Sequence, residues 1–147
     1  MAMADDEVVR FARAIGAVSW RPVNPIERQR FYRANYFRIL STILIIKISR
    51  IKPPKHQFWG VGVRHIEIIE RHGPYYLVLL DSTGEQGWFL SNHEIAHYIE
   101  EYRSGRNPPC WSKGAGEDDD WKAYTPLPDT SQFKSPEDLL RKINVSH

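Results

Sequence analysis

The sequence predicts an α+β (mixed α/β) fold, and three features of the chain support this. Two apolar runs, residues 43–46 and 77–80, are far shorter than the roughly 20 residues of a membrane span and are typical of buried strands. A polar turn and another strand-like segment follow the second run, which predicts a hairpin over about residues 75–90. Helix-capping residues recur along the chain. We therefore expect a single domain over residues 1–147, with a small sheet of three to four strands flanked by four to five helices.

The part of the chain before the first apolar run is predicted to be helical. Residues 5–15 begin with acidic side chains, which suit the positive end of a helix, and carry apolar residues at helical spacing. A second helix is predicted from Pro25 to about Leu40, because Asn24 is a good N-cap and Glu27 completes a capping box. Two helices should therefore precede the first strand.

The middle of the chain is predicted to place a helix between strands. Residues 42–51 predict a strand that ends before two prolines. Residues 60–72 carry apolar side chains close to helical spacing and end at Gly-Pro, which predicts a helix. Residues 75–80 and 87–90 are the two strands of the predicted hairpin.

The C-terminal part is predicted to contain two more helices separated by irregular chain. Ser91 is a candidate N-cap for a helix that continues to about Arg103. Residues 104–120 are rich in Gly and Pro and predict an irregular surface loop, and residues 121–125 predict an edge strand. Ser135 and the Pro that follows it predict a short terminal helix.

Composition limits the cellular setting that we expect. Cys110 is the only cysteine among 147 residues, so no intramolecular disulfide can form and a cytoplasmic location is expected. The N-terminal residues are acidic where a signal peptide would be basic. We expect no membrane association. The sequence does not predict the oligomeric state.

Charge is distributed unevenly along the chain. Residues 1–75 contain 13 Lys/Arg against 6 Asp/Glu, whereas residues 76–147 contain 7 against 12. A basic half of this kind indicates either a surface for an anionic partner or electrostatic pairing between the two halves of one fold.

Basic and aromatic residues alternate in the first half of the chain. Guanidinium and ammonium groups bind phosphates, and aromatic rings stack on unpaired bases, so this pattern predicts binding of nucleic acid or of an acidic protein. The alternative interpretation is that the aromatic rings face the core and the Arg stems cover its edge. The candidate binding residues are Arg28, Arg30, Arg33, Arg38, Lys47, Arg50, Lys52, Lys55 and Arg64.

Aromatic residues next to glycines form a second pattern. Phe58 and Trp59 precede Gly60, and Trp88 and Phe89 follow Gly87. Such pairs favour close packing between elements, because glycine leaves room for a bulky neighbour. The alternative is that these rings line a ligand or partner groove.

The segment His93-Glu94-Ile95-Ala96-His97 contains the HExxH spacing. Two His at i and i+4 share one face of a helix and can hold Zn²⁺, and the Glu between them can act as a base on metal-bound water. The segment resembles the metal-binding helix of zincin metallopeptidases and is similar to that of the regulatory peptidases that cleave repressors in mobile elements. This resemblance implies a zinc cofactor held by His93 and His97, with Glu94 as the catalytic base and a third ligand that the motif does not identify.

The same segment has a structural interpretation. If Ser91 is the N-cap, Glu94 is the third helical residue and completes a capping box. A helical projection places both histidines opposite the apolar stripe. We therefore expect no cofactor and predict a small binding module, with a zinc-dependent metallopeptidase as the alternative. A degenerate metal-dependent nuclease is a further alternative, because Asp81 ends a strand but no Glu/Asp-x-Lys follows on the next one.

Overall fold

The computed structural model describes residues 6–31, 35–51, 55–106, 111–113 and 121–143 and shows an α+β fold. The α-helices in these residues are α1 (Asp6–Ala14), α2 (Pro25–Arg28), α3 (Val63–Glu70), α4 (Asn92–Arg103) and α5 (Pro136–Lys142). The strands are β1 (Val18–Ser19), β2 (Tyr36–Ile39), β3 (Thr42–Ile48), β4 (Phe58–Val61), β5 (Tyr75–Leu80), β6 (Gly87–Ser91), β7 (Trp111–Lys113), β8 (Trp121–Tyr124) and β9 (Gln132–Phe133).

The strands form two sheets. The large sheet has six strands in the order β1-β2-β3-β5-β6-β9, and the small sheet has three in the order β4-β8-β7. Strands β3 and β5 are parallel, and β4 and α3 lie in the connection between them. The predicted α+β class is confirmed. The predicted number of three to four strands is wrong, because β1, β2, β4, β7 and β9 have only two to four residues each and such short segments give little periodic signal.

The large sheet is covered on both faces. Its first face packs against α1 and α5, and its second face packs against α3, α4 and the small sheet. The first core contains Val8, Phe11, Phe37, Leu44, Ile46, Val78, Leu80, Phe133 and Leu139. The second core contains Tyr36, Ile43, Ile45, Trp59, Val61, Ile66, Leu77, Leu79, Ile95, Ile99 and Ala123. The central strands β3 and β5 are therefore buried on both faces, which explains their continuous apolar runs.

The predicted hairpin is confirmed. Strands β5 and β6 are antiparallel, with Leu77 opposite Leu90 and Leu79 opposite Trp88. Gly87 lies so close to β5 that an added Cβ would be 1.9 Å from the Leu79 carbonyl oxygen. Glycine is therefore required at the start of β6.

Three predicted helices are also confirmed, namely α1, α4 and α5. At α5, the backbone N–H of Asp138 donates to Ser135 Oγ at 3.1 Å, as an N-cap requires. The Asp138 carboxylate accepts from the Lys134 backbone N–H, and this bond, supported by Lys142 and Arg141, lowers the pKa of Asp138. Local capping signals thus identified these helices correctly.

Two other predicted helices differ from the structure. The helix expected from Pro25 to Leu40 ends at Arg28, a 3-10 turn follows, and its last part is strand β2. The helix expected over residues 60–72 begins only at Val63, because the preceding residues belong to β4. In both cases the short strands are stabilised by pairing rather than by local helix propensity: β2 pairs with β1 and with the adjacent β3, and β4 pairs with the distant β8.

The range predicted as loop, residues 104–120, contains the short strand β7 within its described part, and residues 107–110 and 114–120 lie outside the described residues. Strand β8 was predicted to be an edge strand, but it is the middle strand of the small sheet. Among the helices of the described ranges, none has the length and hydropathy to span a bilayer.

Candidate functional site

The HExxH segment forms the start of α4, and its glutamate caps the helix. The Ser91 backbone N–H donates to Glu94 Oε1 at 3.1 Å, and the Glu94 backbone N–H donates to Ser91 Oγ at 3.2 Å. These two bonds are the reciprocal pair of a capping box. The Glu94 carboxylate therefore has a structural partner at the helix end, as the capping interpretation predicts.

The two histidines of this segment lie on the exposed side of α4. His93 is exposed, and the His97 side chain, 65% exposed, places Nε2 at 3.1 Å from Glu101 Oε1. Within the ranges that the structure describes, no group of three or more His, Cys, Asp or Glu side chains is arranged to hold a metal ion. The described residues therefore do not fit a catalytic zinc, which normally has three protein ligands and one open position.

The basic residues predicted to bind a partner do not share one surface. Lys47 lies on the second face of the large sheet, with Nζ at 6.0 Å from the centroid of the Tyr36 ring. Arg50 lies on the opposite side, where Nη1 is 2.8 Å from Glu7 Oε1 on α1. The Arg50 guanidinium lowers the pKa of the Glu7 carboxyl. One of these cations therefore pairs with the chain's own carboxylate.

The remaining predicted basic residues are spread over several elements. Arg28 on α2 and Arg64 on α3 are exposed, and Lys55 is exposed just before β4. Arg38 on β2 donates from Nη1 to the Leu40 carbonyl at 2.7 Å. Arg30 lies in the 3-10 turn after α2, whereas Arg33 and Lys52 fall outside the described residues. No single helix or strand collects this set.

An aromatic and basic surface occurs instead on the small sheet. Its inner face packs on the large sheet through Trp59, Val61 and Ala123, so the residues that alternate with these point outward. We call the outward-facing set Phe58, Gly60, Lys122 and Tyr124 the platform. It lies on the solvent side of β4 and β8.

The platform brings a cation and two rings together. Phe58 is 46% exposed and lies opposite the half-buried Tyr124, and Lys122 lies opposite Gly60. Lys122 Nζ is 4.7 Å from the centroid of the Phe58 ring, within the range of a cation–π interaction. A Cβ added to Gly60 would have no heavy atom within 4 Å, so the sheet surface beside the ring is open.

The platform borders a polar segment at one end. His56, two residues before Phe58 on the same side of the chain, donates from Nδ1 to the Thr125 carbonyl at 3.2 Å. The backbone N–H of Gln57 donates to Thr125 Oγ1 at 2.9 Å. These bonds join the chain before β4 to the chain after β8, at the end of the platform where Phe58 and Tyr124 lie opposite each other.

The sequence pattern identified part of the platform. Phe58 belongs to the aromatic residues beside glycine, for which a partner groove was the alternative interpretation. Lys122 and Tyr124 were missed, although the alternation in Trp121-Lys122-Ala123-Tyr124 is a signal for a half-buried strand. The sequence does not show the pairing of β4 with β8, which joins residues 60 to 66 positions apart.

Asp81, the carboxylate considered for a nuclease, holds a turn. Asp81 Oδ1 accepts from the Thr83 backbone N–H at 2.9 Å and from Thr83 Oγ1 at 2.5 Å, and Oδ2 accepts from Gln86 Nε2 at 2.8 Å. These bonds close the β5–β6 turn. The geometry gives Asp81 a structural role, and within the described chain it belongs to no group of three or more His, Cys, Asp or Glu side chains that could hold a metal ion.

Comparison with protein-family models, with curated proteins and with solved structures finds no match to this chain. The function is therefore argued from the geometry above.

Proposed function

We propose that this protein binds single-stranded nucleic acid on the platform of its small sheet. The observation that carries the proposal is the exposed Phe58 ring with the Lys122 ammonium 4.7 Å from its centroid, on an open sheet face beside Tyr124. Aromatic rings on a sheet surface stack on unpaired bases, and neighbouring cations bind the phosphates between them.

The two parts of the platform serve the two parts of a nucleotide. The Lys122 side chain is flexible and exposed, so an incoming base can displace its ammonium from the Phe58 ring. The displaced ammonium then remains on a short tether beside the bound base, where the phosphate lies. Gly60 leaves space for the base to approach the strand.

The charge of the first half of the chain supports the same partner. Exposed cations such as Arg28 and Lys55 add a sequence-independent attraction for phosphates, because binding them releases condensed counterions. An acidic protein would also be attracted by these charges, but its carboxylates do not stack on an exposed ring as unpaired bases do. Nucleic acid is therefore the partner that uses both features.

The metallopeptidase is not the function that the geometry favours. Glu94 is held in the capping box, and among the described side chains no third ligand accompanies His93 and His97. The nuclease is not favoured either, since Asp81 is occupied by its turn.

Binding to a fluorescein-labelled oligothymidylate, followed by fluorescence anisotropy at several salt concentrations, tests the proposal. Phe58→Ala should weaken binding by about 5- to 150-fold, the equivalent of roughly 1–3 kcal/mol for one stacked base. Lys122→Gln should lower the slope of log affinity against log salt by about 1. Both variants should keep the wild-type circular dichroism spectrum.

Two matched variants serve as controls. Ile26→Ala removes an exposed apolar side chain on α2, and Lys134→Gln removes an exposed lysine between β9 and α5. Neither substitution should reduce the stacking of bases on the platform. Unchanged affinity of Phe58→Ala would overturn the proposal, and so would equal competition by polyglutamate, which would instead indicate an acidic protein partner.

A further inference from the structure

A polar cleft lies at the carboxyl end of the parallel strand pair. Ile48 of β3 and Leu80 of β5 are register partners, so both strands end at the same edge of the large sheet. A cleft of about 370 Å³ opens there, between the start of β4, the β5–β6 turn and the chain after β8. Ligands of open α/β sheets bind outside the carboxyl ends of strands. The cleft is separate from the platform. Its lining residue Gln57 is two positions before Trp59 and so lies on the inner side of the small sheet, whereas the platform is on the outer side.

The side chain of Gln57 in this cleft has an unused acceptor. Gln57 is 3% exposed, and among the described residues its Oε1 has no hydrogen-bond partner. Buried side-chain acceptors are nearly always paired, and leaving one unpaired is destabilising. Gln57 is also one of the residues that line the cleft. The unpaired oxygen therefore indicates a donor that is supplied from outside the chain.

The charged residues that line the cleft indicate whether the group that supplies this donor is a cation or an anion. Its charged lining residues are Asp81, Asp129 and Lys55, two carboxylates against one ammonium. Within the part of the chain that the structure describes, Asp81 Oδ2 accepts one hydrogen bond, from Gln86 Nε2, so it can accept another. Asp129 is exposed at the rim. An anion is disfavoured here, whereas a cation with several donors is favoured.

The cleft also contains an aromatic wall. Trp88 is half-buried and lines it, and its ring is held by an edge contact with Trp59, whose centroid is 5.6 Å away. Trp59 Nε1 donates to the Leu80 carbonyl at 2.8 Å, which fixes the pair. A rigid indole beside carboxylates suits a planar cation, which stacks on the ring while its edge donates hydrogen bonds.

We propose that this cleft binds a guanidinium group. Guanidinium is planar, weakly hydrated and carries five donors, so it can stack on Trp88 while donating to Gln57 Oε1 and to the carboxylates of Asp81 and Asp129. An ammonium lacks the flat face and is more strongly hydrated. The group can belong to a free guanidino amino acid or to an arginine residue of another polypeptide. The proposal is independent of nucleic-acid binding on the platform.

Calorimetric titration with L-arginine, and with L-citrulline as its uncharged counterpart of the same shape, tests the proposal. Arginine should bind and citrulline should not, because citrulline lacks the charge and has a carbonyl oxygen in place of one NH2 group, which removes two of the five donors. Gln57→Met, which keeps an unbranched side chain of similar length, and Asp129→Asn should each weaken arginine binding by about tenfold or more. Glu85→Gln changes a residue of the β5–β6 turn that does not line the cleft, and it should leave arginine binding unchanged.

A blocked peptide with one internal arginine distinguishes the two sources of the group. Binding of free arginine alone would identify a small-molecule site, and binding of the peptide would identify an arginine residue of a partner; both results support the proposal. Equal heats with arginine and citrulline would overturn it. Wild-type affinity in Asp129→Asn would do so as well, and this exposed substitution leaves the fold intact even if Gln57→Met does not.

Discussion

The large and small sheets differ in how many of their faces are buried. In the large sheet, β3 has five consecutive buried residues from Thr42 to Ile46, because helices or the small sheet cover both sides. In the small sheet, Trp59 is buried whereas its neighbour Phe58 is 46% exposed. The large sheet therefore contributes most of the core, while the small sheet has an exposed face whose residues are available for binding.

The largest expected effect comes from placing the same charge on each sheet. Leu79→Asp should unfold the protein, because Leu79 is fully buried and an unpaired buried charge costs several kcal/mol against a total of roughly 5–15 kcal/mol. Phe58→Asp should change the free energy of unfolding by about 1 kcal/mol or less, since it loses a cation–π contact and remains solvated. Thermal unfolding followed by circular dichroism measures both.

The comparison would fail if the two variants behaved alike. A cooperative wild-type-like transition for Leu79→Asp would mean that β5 is not the centre of the core. Unfolding of Phe58→Asp would mean that the platform is a packed surface, which would remove the basis for stacking on it.

Burial on one or two faces also explains which elements the sequence predicted. Strands β3 and β5 are buried on both faces, and their apolar runs are visible without knowing their neighbours. The helices α1, α4 and α5 carry capping residues within their own sequence. In contrast, β2 and β4 have four residues each and are defined by their pairing, β2 with the adjacent β3 and β4 with the distant β8. Their local sequence was therefore interpreted as the end and the beginning of helices.

The candidate functional sites show the same contrast between local sequence signals and tertiary contacts. HExxH is a local pattern, so it was visible in the sequence, but the same residues also form a capping box, and the structure contains that box. The platform is assembled from β4 and β8, and the guanidinium cleft from three separated segments. Sites of this kind are defined by tertiary contacts, which periodicity and spacing do not reveal.

An intermediate effect is expected where α4 meets the large sheet. Helix α4 packs through Ile95 and Ile99, and its first turn is capped by Glu94. Glu94→Ala should lower the free energy of unfolding by about 1 kcal/mol, whereas Glu94→Gln should retain most of it, because glutamine also completes a capping box. Urea unfolding measures the difference. A loss in Glu94→Gln as large as that in Glu94→Ala would show that the carboxylate charge, rather than the cap, is what the protein requires.

The smallest effect is expected at His97, on the exposed side of the same helix. His97→Ala should change the free energy of unfolding by no more than about 0.5 kcal/mol, because its side chain is 65% exposed and its contacts are the Glu101 carboxylate and the neighbouring Tyr98 ring. Protein purified without chelator or a histidine tag should contain no stoichiometric zinc by atomic absorption, since two imidazoles without a third ligand hold the metal weakly. One zinc per chain that is lost in His97→Ala would show that an additional ligand completes the site, and it would make α4, rather than the small sheet, the functional surface of this fold.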